Sequence, residues 1–117
     1  MLGAAASQQR HPEQAVRIRP AGWTAVVVAE GIPEFEARVV EISVHSIRLI
    51  APMELKRGSA LAVRIAHPAL HDTFQGSALV AQAVAPPPVA DTWVIAADFV
   101  HLSHEEEMRL GRWSLWT

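Results

Sequence analysis

Phe35-Glu36-Ala37-Arg38-Val39-Val40-Glu41-Ile42-Ser43-Val44-His45-Ser46-Ile47-Arg48-Leu49-Ile50 reads as a strand, a short polar turn and a second strand. Phe35, Ala37 and Val39 alternate with Glu36 and Arg38, the period-two signature of a strand buried on one face. Ile47, Leu49 and Ala51 alternate with Arg48 in the same way. Glu41, Ser43, His45 and Ser46 crowd the turn between them. A carboxylate and hydroxyls at this spacing can form the rim of a small-ligand site. The same hydroxyls can equally satisfy the backbone groups of the turn itself.

Toward the N-terminus, Trp23 to Ala29 is a first strand, ended by a turn at Glu30-Gly31-Ile32-Pro33. Val26-Val27-Val28 is apolar on both faces, which suits a strand whose outer face is also covered by a loop, a helix or another subunit. Residues 1–12 are small and polar without periodicity and read as a tail, with the folded domain expected over 13–117. Toward the C-terminus, Pro52 ends the third strand. Leu61, Val63 and Ile65 alternate with Ala62 and Arg64 in a fourth strand over Ala60 to Ile65. Thr73 to Val84 is a long fifth strand with Gly76 as a bulge or bend, stopped by Pro86-Pro87-Pro88. Thr92 to Val100 is a sixth.

Ser103-His104-Glu105-Glu106 is a capping box. The Ser103 hydroxyl can accept the N–H at the third helical position while Glu106 reaches back to the cap, and Glu105, Glu106 and Glu107 complement the helix dipole. A helix from about His104 to Trp113 or beyond follows, weakened by Gly111. It carries two apolar stripes, Met108 with Leu115 and Leu110 with Trp113. One stripe should cover an open side of the barrel. The other either does so too, with the terminus wrapped back, or offers a contact for a protein partner or a second copy of the chain, with Trp113 and Trp116 as the contact residues, because tryptophan is enriched at binding hot spots. Six strands with turn signals between them, then one helix, make an all-β chain: a small antiparallel barrel with a C-terminal α-helix.

Composition narrows the function classes. At 117 residues and 50% hydrophobic the chain suits one domain with its own core. With no cysteine it has no disulfide, thiolate metal site or cysteine nucleophile. A formal charge of −2 gives no basic footprint for DNA. No apolar run reaches the ~18 residues of a membrane helix, and the first residues lack the basic and apolar regions of a signal peptide, so a cytoplasmic protein is expected. No Gly-x-Ser-x-Gly or P-loop pattern supports catalysis. His67 and His71, and His101 and His104, lack further ligands in sequence, so no metal site is expected.

Glu41-x-Ser43-x-x-Ser46, followed by Ile47-Arg48-Leu49, resembles the Asp/Asn-x-Ser-x-x-Gly motif of PilZ domains, small bacterial β-barrels of which many are receptors for cyclic di-GMP. The other motif of that family, Arg-x-x-x-Arg about two dozen residues earlier, is best matched by Glu13-Gln14-Ala15-Val16-Arg17, followed by Ile18-Arg19-Pro20. Trp93 to Ser103 is similar to the family's last strand leading into its helix. The resemblance implies a six-stranded barrel and a non-enzymatic signalling or adaptor module. Arg17 stands for the second arginine of the motif, which binds phosphate and guanine through its planar fork. Glu41 stands for the family's Asp or Asn and can accept guanine N–H groups. Ser43 matches directly. Two departures weaken the motif. Glu13 puts a carboxylate in place of an arginine, and Ser46 replaces a glycine that reaches positive φ freely.

The expected function is therefore a PilZ-type module in the cyclic di-GMP network, without cofactor, whose nucleotide binding is weakened or lost and whose output runs through protein contacts. Two alternatives stand beside it. One is a competent cyclic di-GMP receptor in which Arg10 or Arg19 replaces the missing arginine. The other is an unrelated small barrel binding peptide or nucleic acid, against which the lack of a basic, aromatic-studded strand face speaks.

Overall fold

The computed structural model describes residues 16–84 and 91–116. The expected tail, Arg10, Glu13 and the proline run lie outside the described residues. Six strands form: β1 (Thr24–Ala29), β2 (Ile32–Ile42), β3 (Ser46–Ala51), β4 (Ala60–Ala66), β5 (Thr73–Val84) and β6 (Trp93–Phe99), followed by helix α1 (His104–Trp113) and a 3₁₀ turn (Ser114–Trp116). All pairings are antiparallel, and the strands close in the order β1-β2-β3-β6-β5-β4. β1 pairs with β4, so the barrel has no free edge.

The alternation seen in the sequence becomes the inside of the barrel. Val27, Val39, Leu49, Ile65, Phe74 and Ile95 point inward and are at most 1% exposed. Burying each of these larger side chains contributes about 1.5–3 kcal/mol before the entropy of ordering it. Leu55, on the connection from β3 to β4, is also buried. The turn between β1 and β2 is tighter than expected: Gly31 takes φ 77, and Ile32 and Pro33 already belong to β2. Pro33 is tolerated because β2 carries one extra residue against β1 between the pairs Val27↔Phe35 and Ala29↔Ile32, where a missing N–H breaks no regular ladder.

Gly76 is not the bulge of β5. It pairs regularly with Val63, and the register shift falls between Val80 and Gln82. Glycine is needed at 76 for close approach: a Cβ there would lie 3.0 Å from the Phe99 ring and 3.2 Å from Leu102. The outer face of β1 stays open among the described residues, since Val28 is 46% exposed.

One end of the barrel is closed by α1. Ser103 caps it, accepting the Glu106 N–H at 3.2 Å. Glu106 does not complete the capping box. Its Oε1 accepts instead from the Gln75 backbone N–H at 3.3 Å and from Arg109 at 2.6 Å, a charge-assisted bond that the cap's neutral N–H does not match. Asp72 receives Arg109 Nε and Trp113 Nε1, each at 3.0 Å, and so ties the helix to the β4–β5 connection. Trp113 is wholly buried against Trp23, His67 and Phe74, with ring centroids 5.0–6.4 Å away. Its expected role as a partner contact is therefore corrected. The stripe of Leu110 and Trp113 turns inward because only that face meets both the apolar barrel end and the Asp72 carboxylate. The opposite stripe stays out: Met108 is 52%, Leu115 82% and Trp116 61% exposed.

Candidate anion-binding site

Ile18 organises the site. Its side chain is buried, and its backbone exchanges both hydrogen bonds with Ile42, at 2.8 and 2.9 Å. Antiparallel register about that pair sets Arg19 opposite Glu41 and Arg17 opposite Ser43. With Ile18 inward, both arginines take the other face. β2 carries one extra residue, Val40, between its pairs with β3 at Val39 and Glu41. The bulge lets Ile42, rather than Glu41, take the next inward position, and it aims the Glu41 carboxylate at the arginines.

Arg17 Nη1 donates to Glu41 Oε2 at 2.7 Å, and Arg19 Nε donates to Oε1 at 3.0 Å. The three side chains are 36%, 76% and 10% exposed for Arg17, Arg19 and Glu41. The Arg17 hydrogen bond holds the Glu41 carboxyl below its ordinary range. Burial pushes it the other way, and the bond from Arg19 and the charges of Arg17 and Arg48 add to the lowering. Arg48, which lies across from Glu41 on β3, was not singled out in the sequence; its place in the hairpin opposite the carboxylate was the available signal.

The turn is closed by its own serines. Ser43 Oγ accepts the N–H groups of His45 at 3.2 Å and Ser46 at 3.3 Å, and Ser43 N–H donates to Ser46 O at 2.9 Å. His45 O accepts the Phe99 N–H, which fixes the turn to the end of β6. Ser46 does not take a positive φ; among the described non-glycine residues only His71 and His101 do. The turn thus makes no demand for glycine at this position. Arg17, Arg19, Glu41, Ser43 and Ser46 are gathered on one rim, and Arg10 and Glu13 lie outside the described residues. Trp116 is remote from the rim in sequence and exposed at the end of the helix.

The arrangement can hold an anion. Arg17 keeps its Nε–Nη2 edge, and Arg19 keeps both terminal Nη groups, after serving Glu41. Each remaining edge matches two oxygens of a phosphate. Among the described residues of the rim, Ser43 Oγ is committed to the turn, and His45 engages it only through its backbone.

The sequence matches no protein-family model and no curated protein. Solved structures do match. The Bacillus subtilis inhibitor of motility MotI/DgrA superposes with a TM-score of 0.72 at 14% identity, over 92% of this chain and 51% of that one. The PilZ domain of YcgR from Escherichia coli, solved with c-di-GMP, gives 0.71 at 16% identity, over 92% of this chain and 91% of that one. MrkH of K. pneumonia in its apo state gives 0.72 at 12% identity, over 92% and 51%. The chain thus spans about half the length of MotI and MrkH and nearly all of the YcgR domain. Closure of six antiparallel strands by the β1–β4 pairing, with one helix after the last strand, is the fold of a PilZ domain.

Proposed function

We propose that this chain is a non-enzymatic, cytoplasmic signalling module of the PilZ type, working in the cyclic di-GMP network with reduced affinity for the nucleotide and acting through protein contacts. The observation that carries this reading is the rim itself. Ile18 and Ile42 lay Arg17 and Arg19 along the Glu41-x-Ser43-x-x-Ser46 turn, on the same barrel as a domain solved with c-di-GMP. Reduced affinity follows from the partners already in place. Both arginines serve Glu41, and the Ser43 hydroxyl serves the turn. Output through protein contacts is supported by the exposed stripe of Met108, Leu115 and Trp116, which fits a protein partner or a second copy of the chain.

Isothermal titration of the purified chain with cyclic di-GMP tests the reading. Heat that saturates only well above the low micromolar range is expected. Binding at low micromolar or better favours the second reading, a competent receptor, for which the exposed Nη groups of Arg19 are the supporting observation. Complete silence toward the nucleotide, with association of the chain through Trp116 intact, leaves an adaptor that works by protein contact alone.

A further inference from the structure

We propose that Glu41 is a built-in counter-anion of the arginine rim, lowering its affinity for phosphodiesters, rather than an acceptor for a guanine base. The inference rests on the reading of this rim as a nucleotide site and names what limits it.

Each Glu41 oxygen already accepts from an arginine, Oε2 from Arg17 and Oε1 from Arg19, and the residue is 7% exposed. A base edge would have to share those oxygens with two guanidiniums in a site that is nearly closed to solvent. A carboxylate this deep is stable only while it is paired, so the pairing is held by the fold and not only by proximity. The Val40 bulge aims it, and the Ile18–Ile42 bridge delivers the arginines.

Glu41 has two effects on an incoming phosphate, and they oppose each other. It orients the guanidiniums, and it cancels one of the three positive charges that Arg17, Arg19 and Arg48 bring to the rim. The orienting effect is partly redundant. Residues 17–19 are already fixed by two backbone hydrogen bonds, and each arginine keeps a free two-donor edge. The charge effect has no substitute, because no other described acid is hydrogen-bonded to either arginine. Cancellation therefore dominates. Each free edge is therefore a weaker phosphate contact than it would be without Glu41.

The test is calorimetry of Glu41→Gln and of wild type with two probes, pyrophosphate and cyclic di-GMP, at one fixed ionic strength. Glutamine keeps the length and one acceptor and removes the charge. Losing the competing charge-assisted bonds should tighten pyrophosphate by about tenfold or more. Glu41→Met, which fills the same space without a hydrogen bond, should move in the same direction, and it carries the test if the glutamine variant does not fold. Unchanged or weaker pyrophosphate binding in the folded variants overturns the proposal. Weaker cyclic di-GMP binding alone also overturns it, in favour of Glu41 as a base acceptor. A gain for pyrophosphate with none for cyclic di-GMP upholds the counter-anion and refutes the nucleotide reading of the rim.

Discussion

Asp72→Ala should cost this domain about 3 kcal/mol. Asp72 Oδ2 is the acceptor of the Trp113 indole N–H at 3.0 Å, and Oδ1 takes Arg109 Nε at 3.0 Å and the Thr73 N–H at 3.1 Å. Trp113 is 0% exposed, so its N–H has no water to turn to. Leaving it unsatisfied costs about 1–3 kcal/mol. Arg109 loses one of three carboxylates but keeps Glu106 at 2.6 Å and Glu105 at 3.6 Å, so that loss adds about 1 kcal/mol. For a chain of this length the sum lowers the thermal midpoint by about 10 °C. Asp72→Asn keeps an acceptor for the indole and should lose about half as much. Glu105→Gln, at a side chain 78% exposed, should shift the midpoint by no more than about 2 °C. Circular dichroism melts of the four proteins measure this.

The pH dependence adds a second readout. Burial pushes the Asp72 carboxyl up, but the Trp113 and Arg109 hydrogen bonds, the Arg109 charge and the Thr73 N–H together hold the group below its ordinary range. As pH falls the unfolded chain takes up this proton first. The stabilisation is therefore complete above the ordinary Asp value and is lost as pH drops through the lower folded value. Wild type and Asp72→Asn should thus converge in acid. An Asp72→Ala midpoint within about 2 °C of wild type at neutral pH would refute the role of Asp72 in anchoring α1.

Trp113→Ala should cost about 3–5 kcal/mol through the cavity it leaves at the barrel end, and chemical denaturation should show it. Trp116→Ala should leave stability within about 0.5 kcal/mol but weaken any self-association seen by sedimentation velocity. A destabilised Trp116→Ala would mean that this ring is not a free contact surface. Ser103→Ala should remove the cap on α1 and cost about 1 kcal/mol, read as a lower denaturation midpoint at unchanged slope.

Alternation and capping chemistry, both local, were legible in the chain. β4 runs over Ala60–Ala66 and α1 begins at His104, as the period-two pattern and the Ser103 cap indicated, because each signal lies within a few residues of the element it defines. The resemblance to PilZ domains also lay in the sequence, carried by the spacing of Glu41, Ser43 and Ser46.

Pairings between distant residues were decided only by the folded barrel. The helix showed two apolar stripes and no reason to choose between them; Asp72, 41 residues before Trp113, made the choice. Arg17 and Glu41 are 24 residues apart, and Arg19 and Glu41 are 22 apart. They meet because the bridge at Ile18 and the bulge at Val40 set a register that composition and periodicity do not encode. A side-chain pattern repeats along one strand, but an ion pair depends on the alignment of two, and one extra residue changes which side chain faces the partner. The sequence therefore determined the barrel and its candidate rim, while the tertiary structure decided that the rim's carboxylate faces its own arginines.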